Sequence, residues 1–168
     1  MKNNQPITQN EVLLNAAEHL VSSTDVKGQI THCNQAFIDI SGFSKEELMG
    51  RAHNIVRHPD MPEAAFLGMW DKLKKGQHWQ GLVKNRCKNG DFYWVDAYVT
   101  PVLDNGQITG YESVRIKPNR DQVDRAEKAY QKIQKGQAPL AKIAIKPWVL
   151  ALSPWLVALT AFLAINDN

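Results

Sequence analysis

Cysteine is scarce in this sequence, with only Cys33 and Cys87 among its 168 residues. Neither cysteine belongs to a CxxC pair or to a cluster of histidines and cysteines. Zinc centres, iron–sulfur clusters and disulfide scaffolds all need such groupings and are therefore poorly supported. Two buried thiols in a reducing compartment are the ordinary interpretation.

Motifs of nucleophilic catalysis and of nucleotide binding are also missing. The sequence contains no G-x-S-x-G elbow, no Walker loop and no GxGxxG after a predicted strand. Its spacing reveals no pair of carboxylates that would line a cleft. We therefore expect a ligand-binding module and not an enzyme.

An excess of positive charge is missing from the body of the chain. Residues 1–118 carry 13 Lys+Arg and 13 Asp+Glu, which argues against a nucleic-acid partner. Residues 119–146 carry seven basic and three acidic residues, and residues 147–165 carry no charge. The net charge of +3 is therefore concentrated in a basic connector that precedes a hydrophobic stretch.

The hydrophobic stretch, residues 147–165, is long enough to cross a membrane. As a helix it would rise about 28 Å, close to the roughly 30 Å of a bilayer core. Trp148 and Trp155 suit a membrane interface, and two lysines precede the stretch, so the body would stay in the cytoplasm of a bacterial inner membrane. A buried or interfacial tail is the alternative, which Pro154 favours. We expect no secretory signal, because the first twenty residues lack an apolar core.

A β-hairpin followed by short helices is predicted at the start of the body. Leu20–Asp25 and the segment 29–34 flank a glycine turn, which is typical of a hairpin. Apolar residues then recur at helical spacing between Ala36 and Phe43. The run Ser44-Lys-Glu-Glu47 is a capping box, which predicts a further short helix.

A longer amphipathic helix is predicted to begin at Pro62. Proline favours the first helical position, and Asp60 just ahead of it is a candidate N-cap. Apolar residues recur on one face of this helix up to Gly76: Ala65, Phe66, Met69, Trp70 and Leu73.

After Gly76 the pattern changes to alternation, which predicts three successive strands over residues 78–87, 92–103 and 107–117. With the hairpin they give an α+β fold, a five-stranded antiparallel sheet with short helices packed on one face. Residues 120–135 read as a charged connector helix with a thin apolar stripe. The predicted order ends with the hydrophobic segment.

Asn85 is a polar residue on an otherwise apolar face of the first of these strands. Alternation puts Trp79, Gly81 and Asn85 toward the helices, and Lys84 on the opposite face. A bound planar ligand with donor and acceptor edges would satisfy the amide, and Gly81 would leave space for it. The alternative is an Asn85 that bonds to nearby backbone, beside Trp79 as ordinary core.

A stiff loop presents Arg57, His58 and Asp60 ahead of the long helix. Two prolines restrict its backbone. Arg57 can pair with phosphate or carboxylate, Asp60 can accept from a sugar hydroxyl, and His58 can titrate or hydrogen-bond. The alternative is that Asp60 only caps the helix and that Arg57 is only its surface ion pair.

The combined pattern resembles a PAS sensor domain and, more narrowly, the flavin-binding PAS domain of the bacterial aerotaxis receptor family. The resemblance covers residues 20–118. The segments that carry it are Ile30–Phe37, Ser41–Ser44, Glu47–Gly50, His53–Pro62, Ala64–Phe66, Met69–Trp70, Leu73–Gly76, Trp79–Arg86 and Lys88–Trp94.

The resemblance implies a noncovalent FAD that reports respiratory electron flow, and hence a redox or oxygen sensor for aerotaxis. Reduction would change the N–H pattern of the flavin, so that Asn85 must re-pair and the sheet passes the change to the connector helix. Light-sensing relatives need a cysteine between Arg51 and His58, and its lack here argues against photochemistry. Matched by position, the resemblance implies these cofactor-binding residues: Asn34, His53, Arg57, His58, Asp60, Trp79 and Asn85.

The resemblance also sets the expected division of the chain and its partners. Residues 1–19 would be an N-terminal cap, 20–118 the PAS domain, 119–146 the basic connector and 147–165 the membrane segment. Aerotaxis receptors continue into a HAMP segment and a helical signalling region, whereas this sequence stops at Asn168. The expected partners are a second copy as a dimer, a chemoreceptor signalling domain or separate receptor chain, the membrane, and indirectly the chemotaxis kinase complex.

Two alternative functions remain open at this point. A haem-binding PAS oxygen sensor would need an axial ligand, which His53, His58 or His78 could offer. A PAS module without cofactor could serve dimerisation alone.

Overall fold

Five strands and four α-helices form in the part of the chain that the computed structural model describes, residues 3–137. The strands are β1 Leu20–Asp25, β2 Ile30–Cys33, β3 Trp79–Arg86, β4 Phe92–Asp104 and β5 Gln107–Ile116. The helices are α1 Gln35–Ser41, α2 Lys45–Leu48, α3 Glu63–Lys74 and α4 Arg120–Gln134, with a 3₁₀ turn at His53–Val56.

The strands form one antiparallel sheet in the order β2-β1-β5-β4-β3. The predicted α+β fold with a five-stranded antiparallel sheet is thereby confirmed. β3 lies at an edge, and the loop before α3 covers part of it through a bridge between Arg57 and Asn85. The amide of His58 also lies 3.4 Å from the carbonyl oxygen of Lys84. This edge of the sheet is therefore occupied by the loop that carries Arg57.

Of two predicted helix starts, one is confirmed by the structure and the other is wrong. The capping box of α2 is present, because Ser44 accepts from the amide of Glu47 and Glu47 accepts from the amide of Ser44. The prediction that Asp60 caps α3 is wrong, since the residue before the helix is Pro62 and no side chain caps it. The carboxylate of Asp60 instead lies 2.8 Å from the ammonium of Lys84. A buried lysine charge competes better for this carboxylate than the helix amides do.

Both faces of the sheet are covered. The helices α1 and α3 and the 3₁₀ turn pack on one face, as expected for a one-sided arrangement. On the other face α4 buries Val123, Ala126 and Tyr130, and the Tyr130 hydroxyl donates to the carbonyl oxygen of Leu82 over 2.7 Å. The predicted apolar stripe of the connector helix is confirmed, and its contact is the back of β3.

The segment before β1 ties these layers together. The side-chain amide of Asn4 donates to the carbonyl oxygen of Arg57 over 2.9 Å, and Arg86 donates to the carbonyl oxygen of Pro6 over 2.7 Å. Glu11 pairs with Arg120 at the start of α4 over 2.7 Å. The loop that carries Arg57 and the first turn of α4 are therefore both held by the N-terminal segment.

No helix of residues 3–137 is long and apolar enough to cross a membrane. The predicted membrane segment, residues 147–165, and the end of the predicted connector lie outside the described residues.

Candidate functional site

A cavity of about 380 Å³ lies between the sheet and α3, with the 3₁₀ turn closing one end. This volume falls within the roughly 300–1,000 Å³ typical of small-molecule sites. Its apolar lining comes mainly from α3 and β3, as Phe66, Met69, Trp70, Leu73, Trp79 and Val83. Its polar lining includes Ser22, His53, Arg57, Asn85, Ser113 and Arg115.

The polar residues of the floor come together because alternate residues of neighbouring strands share one face. In register, Ser113 lies between Ser22 of β1 and Val99 of β4. Arg115 lies one step further along the same face of β5, beside Ala97. The central strand β5 thus places a hydroxyl and a guanidinium in the middle of the cavity floor.

Three hydrogen-bond donors that the sheet contributes to this lining have no partner at hydrogen-bond distance among the described residues. They are Nδ2 of Asn85, Oγ of Ser113 and Nη1 of Arg115, on side chains that are all buried. Leaving such a group unpaired costs roughly 1–3 kcal/mol. A ligand with acceptor atoms along one edge would satisfy them. The structure therefore supports the ligand interpretation of Asn85 over a bond from its amide nitrogen to nearby backbone.

Arg115 also brings an uncompensated positive charge. It is 5% exposed, and none of the described carboxylates forms an ion pair with it. Burial lowers the pKa of Arg115 to about 10, which still leaves it charged at neutral pH. A buried charge without a partner is costly, so the cavity favours an electron-rich or anionic group beside this residue.

His53 is neutral in this environment. Its Nε2 lies 2.7 Å from Nη2 of Arg115 and 3.2 Å from the hydroxyl of Ser22. A guanidinium only donates hydrogen bonds, so Nε2 must accept and the ring proton sits on Nδ1. Burial and, next, the charge of Arg115 lower the pKa of His53 to about 3.

The geometry of the histidines disfavours an axial haem ligand. His53 is the histidine in the cavity lining, and its Nε2 is already an acceptor for Arg115. His58 lies behind β3 against Phe92, with ring centroids 5.8 Å apart. His78 is exposed and stacks on Tyr98 at 5.4 Å.

Arg57 lines the cavity from the loop at the β3 edge. Its guanidinium donates to the carbonyl oxygen of Met61 and lies 5.8 Å from the centre of the Phe66 ring. Arg57 is 9% exposed, so the alternative of a surface arginine is wrong. Backbone contacts to Asn4 and Asn85 fix where this side chain begins.

His58 and Asp60 point to the other side of the same edge. The amide of Asp60 donates to Nδ1 of His58 over 3.1 Å, and the Asp60 carboxylate pairs with Lys84. Burial and, next, the charge of Lys84 lower the pKa of His58 to about 4. Neither residue is in the cavity lining. Alternation along the loop separates them from Arg57.

Asn34 is likewise outside the lining. Its side-chain oxygen accepts from the amide of Phe37 at the start of α1 and from the amide of Val21, over 3.1 and 3.0 Å. Its amide nitrogen donates to the carbonyl oxygen of His19. The structure thus brings four of the residues chosen from the sequence into one cavity: His53, Arg57, Trp79 and Asn85. Asn34, His58 and Asp60 lie outside the lining. Their direct contact with a cofactor stays a prediction, which this position does not favour.

Ser22, Ser113 and Arg115 were not predicted. The available signal was alternation, because Ser113 and Arg115 fall on the same face of β5 as Tyr111 and are the buried polar members of that face. Sequence alone does not say that this face pairs with Ser22 and opposes α3. The pairing of β1 with β5 supplies that information.

The space beside Gly81 is already filled. A Cβ at this position would lie 2.6 Å from the Trp79 ring, so the indole lies across the glycine on the same face of β3. The expectation that Gly81 leaves room for a ligand is therefore corrected. Gly81 leaves room for Trp79, and Trp79 forms the wall of the cavity.

Comparison with known proteins agrees with this architecture. A family profile described as PAS fold matches residues 30–115. The chain is 44% identical over 137 residues to the aerotaxis receptor of Escherichia coli K12, which covers 82% of this chain and 27% of the receptor. It is 30% identical to a nitrogen fixation regulatory protein of Klebsiella pneumoniae, over 59% of this chain and 20% of that protein. The chain thus spans about a quarter or less of these relatives.

Solved structures show the same fold. A light-oxygen-voltage domain studied with a flavin analogue superposes with a TM-score of 0.58 at 21% identity, covering 73% of this chain and 90% of that one. The light-state structure of the blue-light photoreceptor Aureochrome1 LOV gives a TM-score of 0.59 at 21% identity, covering 71% and 93%. At this identity the likeness describes the fold alone.

Proposed function

This chain belongs to the PAS family, its resemblance to the aerotaxis receptors is confirmed, and we propose that its cavity binds FAD noncovalently as a redox sensor for aerotaxis. The observation that carries the proposal is the set of unpaired donors on Asn85, Ser113 and Arg115 in one cavity. The isoalloxazine ring of a flavin offers carbonyl oxygens and ring nitrogens along one edge, which are the acceptors these donors require.

The rest of the lining fits a flat aromatic ligand. Trp79 and Phe66 offer ring surfaces, and Val83 and Leu73 offer aliphatic ones. Aromatic pairs of this kind stabilise by about 0.5–1.5 kcal/mol beyond the area they bury. A polar edge and apolar walls are the two features that a flavin ring needs.

The relatives support a flavin sensor more than they support an enzyme. One is an aerotaxis receptor, and one structure of the same fold was studied with a flavin analogue. The matching proteins also include a nitrogen fixation regulatory protein of Klebsiella pneumoniae, a biofilm dispersion protein of Pseudomonas aeruginosa and a sporulation kinase of Bacillus subtilis. We infer that the domain serves as a signalling input.

Three polar residues of the cavity would each have a separate role toward the ligand. Asn85 can donate from Nδ2 or accept at its oxygen, so it can follow a ligand whose N–H pattern changes. Arg115 holds an electron-rich atom and stabilises added negative charge, while His53 keeps a fixed neutral acceptor beside it. A bound flavin would supply reversible electron transfer with a change in charge and protonation.

The proposed setting follows from the remaining sequence. We infer that residues 147–165 anchor the protein in the bacterial inner membrane, with the PAS domain on the cytoplasmic side. The chain would act as a dimer and signal through a chemoreceptor signalling domain, in the same or a separate chain, to the chemotaxis kinase complex.

Purification of two cavity variants tests the proposal. Arg57→Ala and Trp79→Ala should each yield colourless protein, because one removes the loop guanidinium and the other removes a wall. Gln80→Ala is the control, since Gln80 is exposed on the opposite face of β3 and should retain its flavin. A full flavin complement in both cavity variants would refute the binding site.

A further inference from the structure

Lys84 is a buried cation on the face of β3 that points away from the cavity. It stands next to Asn85, whose side chain lies in the cavity lining. The Lys84 side chain is 7% exposed, and its ammonium lies 4.3 Å from the centre of the Phe92 ring. One strand thus presents a cavity residue on one face and this lysine on the other.

Two carboxylates from different elements compensate the Lys84 charge. Asp60, from the loop before α3, lies 2.8 Å from the ammonium, and Glu127, from α4, lies 3.5 Å from it. Only the lysine of these pairs is buried, because the Asp60 and Glu127 side chains are 53% and 39% exposed. Removing either carboxylate leaves the buried ammonium less compensated. Both elements are therefore held in place by the same ammonium.

The loop and the helix also touch directly. The side-chain amide of Gln134 lies 3.3 Å from the carbonyl oxygen of Pro59, which it can donate to. The same loop contributes Arg57 to the cavity and bridges Asn85 through its backbone. A shift of the loop or of β3 at the cavity must therefore alter the surface on which α4 packs.

The buried contact surface of α4 is small, so such a shift can change how firmly the helix is docked. Among its residues Val123, Ala126 and Tyr130 are buried, and the rest of the helix is mostly charged or polar. A helix with few buried apolar contacts opens more readily than the core does. The ion pair with Lys84 then adds to the few contacts that keep it docked, beside the hydrogen bond of Tyr130 to Leu82 and the pair of Arg120 with Glu11.

We propose that Lys84 is a positioning residue that couples the cavity to the docking of α4, through Asp60 on one side and Glu127 on the other. The coupling rests on the proposed function in taking FAD as the cavity ligand. It assigns the output of the domain to the loop before α3 and the back of β3. Coupling of this kind is reciprocal, so α4 must also affect the cavity.

Hydrogen exchange of residues 120–134 in the full 168-residue chain tests the coupling. In ligand-free protein Asp60→Asn should speed exchange in α4 by at least about fivefold, although Asp60 bonds to Lys84 and not to α4. In the wild type, loading with FAD should change α4 exchange by a similar factor, and Lys84→Met should reduce that response to below about twofold.

A reciprocal measurement and a matched control complete the test. Glu127→Gln, outside the cavity lining, should change the FAD dissociation constant by no more than the factor by which FAD changes α4 exchange in the wild type. Lys88→Met breaks the exposed pair with Glu47, 2.6 Å long, and should leave both readouts unchanged.

The outcomes separate the coupling from the proposed function. If the wild type binds FAD but α4 exchange is the same with and without it, or if Lys84→Met responds as the wild type does, the coupling is wrong and the binding proposal stands. If the wild type binds no FAD, the proposed function is wrong. The coupling is then decided by Asp60→Asn in ligand-free protein, where unchanged α4 exchange overturns it.

Discussion

The Nη2 atom of Arg115 lies 2.7 Å from Nε2 of His53, in a partly buried pair of which the guanidinium alone is charged. The contact fixes the imidazole as an acceptor with its proton on Nδ1. It also places a full positive charge at the floor of the cavity, with no described carboxylate to neutralise it. Several consequences of the proposed site trace back to this pair.

Stability should fall as the pH is lowered from neutrality. The pKa of His53 is about 3 in the folded protein against an ordinary 6.5, so the unfolded chain takes up the proton first. Stability from His53 is complete above pH 6.5 and is lost progressively as the pH falls from 6.5 toward 3. His58, with a pKa of about 4, adds a term of the same sign.

Urea unfolding of ligand-free protein at pH 7 and pH 5 measures this loss. His53→Gln keeps an acceptor for Arg115 but does not titrate, so the pH dependence between these values should fall by roughly half. Equal unfolding free energies of the wild type at both pH values would contradict the neutral, buried state of the histidines.

Arg115→Met should separate stability from binding. The substitution removes an uncompensated charge but also removes the hydrogen bonds to His53 and Ser22, so the two effects offset each other in part and the free energy of unfolding of ligand-free protein should change by less than about 2 kcal/mol. Loss of a charged hydrogen bond of about 1.5–3 kcal/mol should weaken FAD binding by about tenfold to hundredfold. Titration with FAD and urea unfolding measure the two effects, and an unchanged dissociation constant would exclude contact between Arg115 and the ligand.

The local elements were readable from the sequence because their signals are local. The capping box of Ser44 and Glu47, the hairpin at β1 and β2 and the alternation after Gly76 all depend on residues a few positions apart. The assignment of Asp60 as a helix cap failed because its partner, Lys84, is 24 positions away and comes close only in the fold.

The site was readable only in part for the same reason. Trp79 and Asn85 stand out within one strand, and Arg57 stands out within one stiff loop. Arg115 and Ser113 become site residues only through the central position of β5 in the sheet. The burial of Lys84 likewise depends on α4 packing against β3. No local sequence pattern predicts this contact.

Gly81→Ala should disturb the cavity wall without touching the polar floor. The new methyl group would lie 2.6 Å from the Trp79 ring, so the indole must move. Overpacking of this kind costs about 1–3 kcal/mol in unfolding free energy. Tryptophan fluorescence and FAD titration should both change, whereas Gln80→Ala next to it, on the exposed face, should alter neither.

Asn85→Ala tests whether this amide responds to the redox state of the ligand. We expect the variant to bind FAD more weakly and to lose the difference in α4 exchange between oxidised and reduced protein, because the substitution removes the unpaired Nδ2 that faces the ligand from β3. Asn89→Ala, in an exposed turn, is the comparison. Flavin retention together with an unaltered redox-linked difference would remove Asn85 from this role.

The visible absorption spectrum of the purified full chain, taken oxidised and then reduced, decides whether the cavity binds FAD. We expect flavin bands that bleach reversibly on reduction, and FAD as the cofactor released on denaturation. A colourless protein that stays colourless after FAD is added, or the spectrum of a haem, would contradict it.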